Sequence, residues 1–169
     1  MPQVALFSRA LFSLHTAGCL VPNECKDAVG MFIRKATEIR CFHLTTDFRS
    51  AAAGALVAQQ HFNSAAHYHR WCKKNLRHEH MVPTSVVRQM LVDEPNLSED
   101  RIAQILRQYG QRATITVEED GILNAAGLAQ DMPDGFRDPE SPLYRNPVAR
   151  YIEANIFHNL EPRVGATWF

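Results

Sequence analysis

A chain of 169 residues, 46% hydrophobic and 21% charged, is long enough to bury its own core without disulfide support. Its 18 basic and 18 acidic residues cancel, so no overall field draws it to a polyanion or an anionic membrane, and nucleic-acid binding would need a local basic patch. No run approaches the roughly eighteen apolar residues of a membrane span. The apolar start MPQVALFSRALFSLH has no basic lead and is interrupted by Arg9, which makes a poor signal peptide.

Val4, Phe7, Leu11 and Leu14 recur at helical spacing and predict a first amphipathic helix that stops at Gly18 and Pro22. Its apolar stripe offers a surface for a homodimer. A second helix follows Asn23, with Ala28, Val29, Phe32, Ile33 and Ala36 on its apolar face. The alanine-rich FRSAAAGALVAQQHF, from Phe48 to Phe62, predicts a third helix, and SAAHYHRWC a short fourth. LRHEHMVP has no helical period and ends at a proline, so it predicts a strand. Thr84 or Ser85 then caps a helix bearing Val86, Val87, Met90 and Leu91. Ser98 caps another, with Ile102, Ile105, Leu106 and Tyr109 in its stripe and Gly110 as its stop. RATITV, Arg112 to Val117, alternates and is β-branched, so it predicts a second strand. EEDGILNAAG reads as a helix ending at Gly127, Met132 to Pro147 as loop, and NPVARYIEANIF as a last helix. Cys19, Cys25, Cys41 and Cys72 form no CxxC pair and read as free thiols, which favours a cytoplasmic setting. The expected fold is α+β and mostly helical: an N-terminal helical region over 1–72, and a core over 73–169 built on a two-stranded hairpin plus helix.

The chemistry-bearing residues gather around RHEHMV. On a strand, His78 and His80 share one face and Glu79 takes the other, though near the strand end all three can approach one site. EHMVP resembles the first motif of HNH endonucleases, an acid followed by histidine, two residues and often proline. TITVEEDGILN resembles the second strand and helix of that motif. The likeness covers about residues 75 to 135 and implies a ββα-metal core that hydrolyses phosphodiester bonds in nucleic acid, DNA rather than RNA. It departs from the family in lacking the final histidine of the helix. On this resemblance His80 is the general base, since imidazole titrates near neutrality. His78 is a second catalytic or phosphate-orienting group. Glu79 with Asp120 or Asn124 holds one divalent metal ion, for which Mg²⁺ or Mn²⁺ suits oxygen ligands. A zinc set drawn from His67, His69, Cys72, His78 and His80 has no defensible spacing and ranks below it. Arg70, Lys73, Lys74 and Arg77, interleaved with Tyr68 and Trp71, form the most basic stretch and a candidate nucleic-acid contact. The alternative is a non-catalytic helical interaction protein, a phage or defence-system component on a degenerate nuclease scaffold.

Overall fold

The computed structural model describes residues 2–21, 23–37, 46–156 and 160–162. Pro22, Cys41 and Phe157, each part of an expectation above, lie outside them. The fold is α+β and mostly helical. In chain order its regular elements are α1 (Pro2–Thr16), α2 (Lys26–Thr37), β1 (Phe48–Ser50), α3 (Ala51–Ala58), α4 (Ala65–Asn75), β2 (Leu76–His80), α5 (Thr84–Val92), α6 (Glu99–Tyr109), β3 (Arg112–Thr116), α7 (Val117–Ala125), α8 (Ala149–Glu153) and β4 (Leu160–Pro162).

Four helices form the larger core. Val4 and Leu11 of α1, Val29 and Ile33 of α2, Val87 and Leu91 of α5, and Ile102 and Leu106 of α6 are buried together. Each such side chain contributes about 1.5–3 kcal/mol relative to exposure. The stripe of α1 is therefore covered by the chain itself, with Phe7 and Leu14 packed against the same cluster and Leu6 left exposed. The face expected to pair two chains is largely used within one. Ser98 caps α6 as its sequence predicts, accepting from the Arg101 backbone N–H.

The sheet runs in the order β2-β3-β1-β4. The expected two-stranded hairpin is instead an antiparallel pair, β2 with β3, extended by β1 parallel to β3 and by β4 antiparallel to β1. Helices α5 and α6 intervene between β2 and β3. Strand β1 replaces the start of the helix expected from Phe48. Ser50 accepts a hydrogen bond from the Ala53 N–H at 3.0 Å, so it caps α3 and releases Phe48 and Arg49 to pair opposite Ala113 and Thr114. Elements from both sides of residue 72 share this sheet and the larger core, so the 1–72 and 73–169 regions are interleaved rather than stacked as separate units.

The two sheet faces differ sharply. One carries Leu76 against Ala53, Val57, Tyr68 and Cys72 of α3 and α4. The other carries Ala113 and Ile115 against Leu123 of α7 and Tyr151 of α8. Helix α8 is shorter than the run NPVARYIEANIF predicts: it ends at Glu153, and Asn155 turns to a φ of 58°. No helix among the described residues is long and apolar enough to cross a membrane.

Candidate functional site

The register of β2 on β3 sets every side chain of RHEHMV. His78 lies opposite Thr114 and His80 opposite Arg112, on the face toward α3 and α4, while Glu79 lies opposite Ala113 and faces α8. His78 Nδ1 meets Thr114 Oγ1 at 2.8 Å, and that hydroxyl meets Thr46 Oγ1 at 2.8 Å. His80 Nε2 meets Thr37 Oγ1, at the end of α2, at 2.7 Å. The Thr37 hydroxyl also reaches the Ile33 carbonyl at 3.1 Å, and which partner donates in the His80 bond follows the imidazole tautomer.

Glu79 is held on the opposite side by two residues with no counterpart in the sequence reading. The Tyr151 hydroxyl donates to Oε1 at 2.6 Å, and Arg150 Nη2 donates to Oε2 at 2.9 Å. Arg150 is 1% exposed. The same Nη2 reaches the His80 carbonyl at 2.6 Å, and Nη1 reaches the carbonyls of Leu128 at 3.0 Å and Ala129 at 3.3 Å. One guanidinium thus ties the end of β2, the turn after α7 and α8 together. Burial raises the Glu79 pKa, against the pull of Arg150 and Tyr151. Burial, and then the Glu79 charge, push the Tyr151 phenol well above its ordinary value.

Because the folded carboxyl binds its proton more tightly than the unfolded one, its contribution to stability is full at low pH and is lost as pH rises through its folded pKa. We expect wild type to lose stability relative to Glu79→Gln as pH climbs from about 4 to 8. Urea midpoints across that range would show it, and a gap moving the other way would contradict it.

Although they point to opposite faces, Glu79 and His80 both line one cleft of about 190 Å³ at the end of β2, with Arg34, Thr84, Gln130 and Arg150 around it. The helix residues expected to join them behave differently. Asp120 lies near enough to Glu79 to raise its pKa slightly, and its Oδ2 is 3.7 Å from Arg77 Nε. Asn124 is exposed and its amide donates to the Asp120 carbonyl at 2.7 Å. Both Glu79 oxygens are engaged, one by Tyr151 and one by Arg150, so the carboxylate as placed serves that pair rather than a divalent ion. Arg150 supplies the positive charge that such an ion would bring to the carboxylate.

The basic stretch of α4 stands elsewhere. Arg70, Lys73 and Lys74 are exposed before the start of β2, about 13 Å or more from its far end. Tyr68 is buried and so offers no stacking surface, while Trp71 is half-buried beside Phe62, at 5.6 Å between rings. Glu119, in the first turn of α7, is buried. Its Oε2 accepts from the Thr116 N–H at 2.9 Å and from Ser50 Oγ at 2.6 Å, closing a capping box that also fastens β1 to α7. The spacing Thr116-x-x-Glu119 was the available signal.

Gly110 supports the site from behind. A Cβ there would collide with Thr37 Cγ2 and the Leu106 carbonyl. Its φ of −83° is ordinary, so the need is for space. Gly110→Ala should cost about 1–3 kcal/mol and break the Thr37–His80 bond, read as a lower thermal midpoint and a shifted His80 ring resonance. An unchanged midpoint would show that α2 can yield.

Compared with protein-family models, with curated proteins and with solved structures, the chain matches none of them.

Proposed function

We propose that the cleft at the end of β2 hydrolyses phosphodiester bonds in nucleic acid, in the HNH-like manner its EHMVP motif implies. One observation carries the reading: Glu79 and His80 line a single cleft with two arginines, at the end of an antiparallel strand pair whose second strand runs straight into α7. On this reading the His80 imidazole takes a proton from a water as its oxygen bonds to phosphorus. The bond to the leaving sugar oxygen breaks, and that oxygen is protonated from solvent. Arg34 at the rim and Arg150 in the wall offset the negative charge that builds on the phosphoryl oxygens. Glu79 orients Arg150, as the geometry of that pair supports. Mg²⁺ or Mn²⁺ belongs to the reading through the resemblance, and no step is assigned to it. The free thiols of Cys19, Cys25 and Cys72 favour a reducing, cytoplasmic setting.

The second reading, a non-catalytic binding protein on a degenerate scaffold, is favoured by the engagement of both Glu79 oxygens. A supercoiled-plasmid assay separates them. Relaxed circles with Mg²⁺ or Mn²⁺ that disappear with EDTA support a metal-dependent nuclease. Relaxed circles that persist with EDTA support hydrolysis in which Arg150 serves in place of the ion. Intact plasmid in every lane contradicts hydrolysis.

A further inference from the structure

Next to the cleft beside His80 lies a second, more basic one. Lys26 and Arg34 of α2 and Arg88 of α5 line an open cleft of about 300 Å³ with Thr84 and Ser85. Arg34 and Thr84 line both clefts, so the two are neighbours. Lys26 and Arg34 are exposed, and Asp27 is the acid on the same wall. Three cations against one carboxylate give the cleft a positive balance in a chain whose net charge is zero. Helix α5 begins here. Pro83 is its N-cap, with no side-chain hydrogen bond, rather than the Thr84 or Ser85 cap its sequence predicts. The Ser85 hydroxyl turns to the Gln130 carbonyl at 3.3 Å. The positive end of α5 therefore meets the cleft without a side chain to neutralise it.

We propose that the α2–α5 cleft is a phosphate oxyanion site, with Lys26 and Arg34 as its exposed cations. A nucleic-acid backbone laid along it leads to His80. The inference takes its polymer from the hydrolytic reading, but the phosphate chemistry stands without it. The α4 patch at the other end of β2 then has no share in binding.

The test compares wild type, K26E/R34E and K73E/K74E. Each is titrated with a labelled oligonucleotide of about 16 nucleotides, followed by anisotropy at several salt concentrations, and with inorganic phosphate, followed by amide NMR shifts. The expected result is oligonucleotide binding that weakens about tenfold or more in K26E/R34E, with a salt slope smaller by about two, one per cation lost. Phosphate should move the Thr84 and Ser85 amides of wild type, and K73E/K74E should behave as wild type. Phosphate shifts at those amides with no oligonucleotide binding would keep the site and make its ligand a small phosphate ester. Loss of binding in K73E/K74E but not in K26E/R34E would overturn the proposal, as would wild type that binds neither probe. Binding that depends on Lys26 and Arg34 with no plasmid cleavage would sustain this inference and end the hydrolytic reading. Cleavage unaffected by K26E/R34E would overturn this inference and remove Arg34 from the hydrolytic reading, while leaving the role of His80 standing.

Discussion

Replacing Arg150 with methionine should cost about 3–5 kcal/mol, because it leaves a buried carboxylate without its counter-charge. The side chain is 1% exposed and donates to Glu79, to the Tyr151 hydroxyl, and to the carbonyls of His80, Leu128 and Ala129. Methionine matches much of its volume, so the loss reports the polar network rather than a cavity. Against a total stability of about 5–15 kcal/mol, that is a large share. Arg150→Lys should recover little, since one ammonium cannot serve five acceptors spread over three segments. In the double variant Arg150→Met, Glu79→Gln, the loss should be smaller than the sum of the two single losses, because the stranded charge is gone. Urea unfolding with unchanged m-values measures all of these. A loss below about 1 kcal/mol for Arg150→Met would mean that the network is incidental to the fold.

Much of the helical layer was legible because its signals are local. The stripes of α1, α2, α5 and α6 became the larger core, and the alternation of RATIT became β3. Strand β1 was not legible as a strand. Three residues are too few to show alternation, and FRS runs directly into an alanine-rich helix. Its only sign was a serine suited to cap that helix. The partners of Glu79 were hidden for a different reason. Arg150 and Tyr151 sit in a short helix near the end of the chain, and nothing in their spacing refers to a strand far upstream. The basic cleft was hidden likewise. Lys26, Arg34 and Arg88 never form a run, and packing of α5 on α2 brings them together. The sequence instead drew attention to Arg70, Lys73 and Lys74, where consecutive charges mark an exposed helix face.

His80 carries the second large effect. As the general base it should be worth about 10²- to 10⁴-fold in the rate of phosphodiester cleavage. His80→Ala keeps the backbone carbonyl that Arg150 holds, and Thr37 retains its bond to the Ile33 carbonyl. Its unfolding midpoint should therefore stay close to that of wild type. The most direct measurement is the single-turnover nicking rate of supercoiled plasmid by wild type and by His80→Ala, each shown to be folded. A wild-type rate at least about a hundredfold above that of His80→Ala is the predicted result. Equal rates, or no cleavage by either protein, would contradict the claim that this imidazole works on a phosphodiester in the cleft at the end of β2.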